Sequence, residues 1–344
     1  MQSRGRFIAV GALLLVMLTM MSGFHRVNVT RFAPGPYVVD LPFGPGPKAV
    51  GRAVGIDGRP YGPLAFSSNG RTTVVADTYH ERLLYFHHGR LRSRPVGGEM
   101  IEELLIDRAG RVFAVDNRSL SLKLYTGPSV RRVMGLKHQP GYSESLWHVG
   151  LAPNGRIIVE SVRIGRGTLS TRIDEYSASG RFVRSLSEAR VSQQGLQPES
   201  GSTIVTPVKS FQVAPDGNLY IEPQQTQGSN RIIRIYRENG LFMGNVVIRS
   251  PERIRRADFL GIDQQGWIYL AVNIDVPHKA RILIVDGRGQ MVANLHVGAI
   301  PVYGATYGYV LPTGVLYLDQ STRSSYRIRE YRPVTRREWR WAGF

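Results

Sequence analysis

Six times along the chain a short apolar stretch runs into a polar turn ending in glycine, and a second apolar stretch follows it. The first three copies are residues 64–66 to Gly70 then 74–75, 104–106 to Gly110 then 112–113, and 149–151 to Gly155 then 157–158. The others are 211–213 to Gly217 then 219–220, 259–262 to Gly266 then 268–269, and 309–311 to Gly314 then 316–317. These apolar runs are brief, rich in β-branched and aromatic residues and free of a 3.6-residue period, so they predict strands. The glycine supplies the positive φ of a tight turn.

A second hairpin follows in several units. Arg172-Ile173 through Tyr176 leads to Gly180 and Phe182-Val183, Arg231-Ile232-Ile233 through Tyr236 leads to Gly240 and Phe242, and 281–284 leads to Gly289 and Val292. The turn glycines lie 40, 45, 62, 49 and 48 residues apart, which brackets one four-stranded unit with variable loops. Six such units predict an all-β, six-bladed β-propeller. A two-sheet sandwich also uses short strands, but it has no reason to repeat one pattern six times.

The stretch Val74-Val75-Ala76-Asp77-Thr78-Tyr79-His80-Glu81-Arg82-Leu83-Leu84-Tyr85-Phe86 resembles the strand, Asp, short loop, Arg-aliphatic strand signature of NHL-repeat propellers. Further copies are residues 113–116 leading to 122–125, and 316–319 leading to 327–328. The resemblance implies a six-bladed propeller over about residues 60–332. Families of this kind include scaffolds, ligand-binding modules and some lyases, so the fold selects none of them.

On this repeat the second strand ends in an acid in five units, Asp77, Asp116, Glu160, Glu222 and Asp319, with Ala271 in the remaining one. The third strand begins with a base in all six: Arg82, Lys123, Arg172, Arg231, Arg281 and Arg327. Acid and base face each other across one loop, which predicts a repeated ion pair. A ligand-binding reading has some of these acids converge at the mouth of the central channel. Arg281 has no acid at the usual position, so Asn273 or Asp275 would partner it, or it would be free to meet an anion. The ligand-face candidates are therefore Asp77, Asp116, Glu160, Glu222, Asn273, Arg281 and Asp319.

The long insertions, 137–147, 161–171, 187–207, 223–230 and 273–279, fall between second and third strands or between blades, all on one face. Binding residues concentrate on loops held by a rigid scaffold, so this is the expected functional face. Linear catalytic motifs are missing: no HExxH, Gly-x-Ser-x-Gly elbow, Walker loop or GxGxxG opening a helix occurs, and His87-His88 sits beside the Gly89 turn. No cofactor is indicated. Some six-bladed hydrolases and lyases hold a metal at the channel mouth with separated acids, asparagines or histidines; Glu160, Glu222, Asn273 and Asp319 are the candidates for that chemistry.

Outside the repeat, Arg4 and Arg6 precede an uncharged run over 7–24. As a helix it would measure about 27 Å, enough to span a bilayer. A cleaved signal peptide has the same grammar, but 20–24 make a poor small-x-small cleavage site, so a signal anchor with residues 1–6 in the cytoplasm is expected. Residues 25–36 then form a linker and 37–344 the propeller. With no cysteine, disulfides and thiol chemistry are excluded.

Only five of the 44 basic residues are lysines, and the net charge is +18, or +16 without Arg4 and Arg6. The densest basic stretches are 249–256 and 326–340. Such a surface suits anionic surroundings, and export argues against intracellular nucleic acid. The expected partner is a protein, a peptide or an anionic cell-envelope polymer, together with the membrane through the N-terminal helix. Ring closure has two candidates: residues 37–41, or Glu338-Trp339-Arg340-Trp341 as the last blade's own fourth strand. The C-terminal stretch is favoured, with the N-terminal strand packed near the closing point.

Overall fold

Each turn glycine of the repeat takes the backbone the pattern demands: Gly70, Gly110, Gly155, Gly217, Gly266 and Gly314 have φ between +75° and +87°. The structure is a computed structural model, which describes residues 24–55, 58, 60–136, 141–165, 168–192, 195–198, 208–223, 228–276, 278–299 and 306–341. It falls into two units. One comprises Pro34–Arg332; the other comprises Met1–Ala33 with Pro333–Phe344.

The larger unit is an all-β six-bladed propeller. Strand β1 (Phe24–Pro42) enters it, and a small hairpin, β2 (Ala53–Val54) and β3 (Pro60–Tyr61), precedes the first blade. Blade 1 holds β4 (Ala65–Ser68), β5 (Thr72–Asp77), β6 (Arg82–His87) and β7 (Arg90–Pro95). Blade 2 holds β8 (Ile101–Ile106), β9 (Val112–Asp116), β10 (Ser121–Thr126) and β11 (Ser129–Gly135). Blade 3 has five strands: β12 (Ser143–Leu151), β13 (Ile157–Gly165), β14 (Thr168–Tyr176), β15 (Phe182–Ser192) and β16 (Gly195–Pro198). Blade 4 is β17 (Val208–Val213), β18 (Leu219–Pro223), β19 (Gly228–Tyr236) and β20 (Phe242–Ile254). Blade 5 is β21 (Ala257–Ile262), β22 (Ile268–Val272), β23 (Arg281–Val285) and β24 (Met291–His296). Blade 6 contains β25 (Gly308–Val310), β26 (Leu316–Asp319) and β27 (Ser325–Trp341). All six pair in simple antiparallel order.

The core lies between blades, because each small sheet has two apolar faces to cover. Val74, Leu83, Leu104, Val112 and Tyr125 pack blades 1 and 2 together; Tyr220, Ile233, Phe259, Leu270 and Leu283 do the same for blades 4 and 5.

Closure differs from the expectation. The order in blade 6 is β1-β27-β26-β25, so the N-terminal strand supplies the fourth strand. Residues 338–341 cannot take that place, because they continue β27, which is already the third strand and pairs Ile328 with Asp319. Val39 is buried and packs with Val50, Phe66, Tyr317, Tyr326 and Ile328, which anchors β1. Arg329 Nε also donates to the Gly35 carbonyl at 3.1 Å.

Residues 25–36, expected as a linker, are strand within β1. Pro34 and Pro36 are tolerated there because β1 is the outermost strand of its sheet, where missing N–H donors cost nothing. Two expected loops are also strand. Residues 161–165 and 168–171 extend the β13–β14 hairpin, with Val162 opposite Thr171, and β16 folds back on β15. The expected membrane span over 7–24 lies outside the described residues except for Phe24, which opens β1. Among the described residues no helix is long and apolar enough to cross a membrane. In the smaller unit the Thr30 and Thr335 hydroxyls lie 3.2 Å apart.

Candidate functional site at the channel entrance

The acids that close the second strands hold the ring together locally. Asp77 lies 2.8 Å from Arg82 and from His80, and its Oδ1 accepts the Gly51 amide at 2.8 Å. Asp116 lies 2.9 Å from Lys123 and accepts the Met100 amide at 3.1 Å. Burial opposes the charge of Asp116, but bonds from Ser119, Lys123 and Met100 outweigh it and lower its pKa. In blade 5 the neutral Asn273 does the corresponding work: Oδ1 accepts the Arg255 amide at 2.8 Å and Nδ2 donates to the Arg253 carbonyl at 3.1 Å. Gly51, Met100 and Arg255 all lie on the segment that enters a blade. In these three blades the residue at the end of the second strand, or just after it, therefore fastens the incoming crossing to its own blade.

The expected acid–base pairing does not run round the whole ring. In blade 3, Glu160 stands opposite Ile173, and Arg172 stands opposite Ser161. Alternation thus places the two side chains on opposite faces. Arg172 instead meets Asp174 at 2.7 Å. Arg327 likewise meets Asp40 of β1 at 3.0 Å, while Asp319 is buried and accepts the Ser321 amide at 2.8 Å. That burial, only partly offset by the Ser321 bonds, pushes the Asp319 carboxyl up to about 7. Arg281 is not free, and neither Asn273 nor Asp275 pairs with it. Its Nη2 lies 2.5 Å from Glu252 Oε1, on the strand β20 of the preceding blade. Glu222 lies 3.1 Å from Lys209 and 3.7 Å from Arg231, and burial outweighs both cations to raise its pKa.

The seven candidates therefore sit at six separate blade corners and do not form one site. Among the described residues no three His, Asp or Glu side chains converge as a metal ion would require. Glu160, Glu222, Asn273 and Asp319 do not fit a shared metal centre, because each is committed to different neighbours in a different blade.

What the ring does bring together is a cavity of about 230 Å³ bounded by the first strands of all six blades. Phe66, Glu103, His148, Ser210, Phe259 and Tyr309 line it, one from each blade. In blades 2, 3 and 4 the first strand carries a β-bulge at the same place, between Ile101 and Glu103, Leu146 and His148, and Val208 and Ser210. In a regular strand consecutive side chains point to opposite faces; a bulge re-aims them. Here both residues of each pair, Glu102-Glu103, Trp147-His148 and Lys209-Ser210, reach the cavity wall.

His148 is the centre of this arrangement. Its Nδ1 lies 2.6 Å from Oε2 of Glu160, whose side chain is fully buried behind it. Burial works against the charged imidazole, but Glu160, and less strongly Glu103 and Asp258, overcome it and raise the pKa to about 9. Glu103 Oε1 accepts the Val149 amide at 3.2 Å. Its enclosure raises the carboxyl to about 7, with His148 and the Val149 bond pulling the other way. The wall thus holds an imidazolium, a carboxyl that titrates near neutrality, and Lys209 and Asp258 from blades 4 and 5. Such a set can hold a ligand of mixed charge and exchange a proton with it.

None of Glu103, His148 and Lys209 was among the sequence candidates. A signal for them exists: Glu103, His148 and Ser210 each stand seven residues before the turn glycines Gly110, Gly155 and Gly217.

No family model matches the sequence, and no curated protein does. Solved structures do resemble it. Virginiamycin B lyase from Staphylococcus aureus is 11% identical, with 87% of this chain and 99% of that one covered at a TM-score of 0.47. A gluconolactonase of Xanthomonas campestris is 14% identical, with 90% and 100% covered and a TM-score of 0.47. Regucalcin, a calcium-binding protein of Agrobacterium tumefaciens, is 14% identical, with 78% and 92% covered and a TM-score of 0.48.

Proposed function

We propose that this chain is a membrane-anchored, extracytoplasmic binding module that takes a peptide or an exposed segment of a protein at the channel entrance. The observation that carries the reading is the triple bulge, which turns three consecutive pairs of residues into one cavity. Carboxyls outnumber cations on its wall, since Glu102, Glu103 and Asp258 face His148 and Lys209. That balance favours a ligand bearing an amine over a purely anionic polymer. Trp147, 43% exposed at the rim, offers an aromatic face to an apolar or cationic side chain. The basic-then-apolar grammar of residues 1–24 supports the anchor and the export, and the signature over 74–86 supports kinship with NHL-repeat propellers.

The test is equilibrium binding of a mixed short-peptide pool to the detergent-solubilised full chain. Saturable binding that weakens at least tenfold in both His148→Ala and Glu103→Ala is expected. Absence of peptide binding, or unchanged binding in those variants, would reject the reading.

A second reading, a lactonase- or lyase-type enzyme, draws on one observation: a near-neutral carboxyl beside a histidine that is itself backed by a buried carboxylate, which is an acid–base set. Turnover of a lactone or β-eliminable substrate, abolished by His148→Ala, would favour it.

A further inference from the structure

A second cavity, of about 270 Å³, opens between blades 4 and 5 on the loop-bearing face. Lys209, Glu222, Arg231, Arg255, Arg256 and Asp258 supply its charged wall. Four cations therefore meet two carboxylates. Glu222 is engaged by Lys209 at 3.1 Å and by Arg231 at 3.7 Å, and Asp258 by Arg256 at 3.2 Å. Among the described residues the guanidinium of Arg255 has no acidic partner, so the positive excess centres on it.

The site is also built in advance of any ligand. Arg231 is only 5% exposed and donates to the Ile254 carbonyl at 3.2 Å. Lys209 Nζ additionally donates to the Ala257 carbonyl. The Arg253–Arg255 backbone is fixed by both ends of the Asn273 amide, at 2.8 and 3.1 Å. Arg255 itself is exposed and only its backbone is held, but its guanidinium donors match the geometry of carboxylate and phosphate, and the buried Arg231 adds to the positive field beside it.

From this geometry we infer that the cavity between blades 4 and 5 is an oxyanion site, centred on Arg255, which seats the terminal carboxylate of a peptide whose other end lies in the channel entrance. The second half of the inference rests on the peptide-binding reading given above. It follows from adjacency: Lys209, Ala257 and Asp258 belong to the walls of both cavities. The entrance wall has more carboxyls than cations and the neighbouring recess more cations than carboxylates, which suits a dipolar ligand lying across the partition.

Two arms test it on the detergent-solubilised full chain. In the first, inorganic phosphate is titrated by calorimetry. Saturable binding weakened at least tenfold by Arg255→Gln, and retained by Arg255→Lys, supports the site; absent binding, or equal binding in Arg255→Gln, overturns it. In the second, a short peptide is compared with its C-terminal amide. Wild type should prefer the free carboxylate at least tenfold, and Arg255→Gln should lose that preference; equal affinity for the two forms overturns the carboxylate assignment. Phosphate binding that depends on Arg255 with no peptide binding at all would leave the oxyanion site standing and reject peptide capture.

Discussion

His148 Nδ1 and Glu160 Oε2 lie 2.6 Å apart, and this contact joins the channel wall to the buried middle of β13. Glu160 holds the imidazole charged well above its ordinary value of 6.5, to about 9. The folded chain thus binds this proton more tightly than the unfolded one. Its stabilisation is complete below pH 6.5 and lost as pH rises through about 9. Glu103 has the same sign in a lower window, between its ordinary 4.5 and about 7. Urea midpoints measured from pH 5 to 9.5 should decline, with the upper part of the decline removed in His148→Gln and the lower part reduced in Glu103→Gln, the buried Asp319 supplying the remainder. A proton resonance of His148 that titrates near 6.5 would contradict the first assignment.

The blade-corner ion pairs should differ in strength according to burial. Asp77 is fully buried and serves Arg82, His80 and the Gly51 amide, so Asp77→Ala should cost about 3–5 kcal/mol. Arg172 is 41% exposed beside Asp174, and Arg172→Ala should cost about 0–1 kcal/mol. Urea denaturation of the two variants checks the ranking, and equal losses would contradict it.

Closure by β1 makes its apolar contact matter more than its polar one. Val39 is 2% exposed among Tyr317, Tyr326 and Ile328, so Val39→Asp should cost more than about 3 kcal/mol through a buried charge. Asp40→Ala removes only the half-exposed pair with Arg327 and should change stability by about 1 kcal/mol or less. Melting temperatures of the two variants provide the comparison.

Gly180 has φ +86°, and a Cβ there would collide with the Val133 carbonyl of the neighbouring blade. Gly110 has φ +80° but faces open space. Gly110→Ala should cost about 1–2 kcal/mol, the left-handed backbone alone. Gly180→Ala should cost about 1–3 kcal/mol more, because β11 must move aside. Similar urea midpoints for the two variants would contradict the close approach of Gly180 to β11.

The sixfold repeat was legible because strand–turn–strand units leave a local record: the apolar pairs and the turn glycines mark the strands directly. The acid at the end of the second strand was legible as a position but not as a partner. Whether Glu160 faces Arg172 depends on one residue of register, and the observed pairing of Ser161 with Arg172 reverses it. Arg281 escaped for a different reason, since Glu252 reaches it from the preceding blade and their separation in sequence gives no hint of contact. The channel entrance was least legible. Its wall takes between one and four residues from each of six distant strands, and bulges at residues 102, 147 and 209 break the alternation by which inward positions are read.

Because the earliest strand seals the sheet built by the latest, roughly 280 residues must be made before β1 meets its neighbour. During synthesis blades 1 to 5 acquire their partners in order, while residues 34–42 wait with their hydrogen bonds unmade. Nascent molecules therefore pass through an open horseshoe whose two free edges complement each other, and two such molecules trading N-terminal strands would give an interlocked dimer. Dilution during refolding should suppress that product.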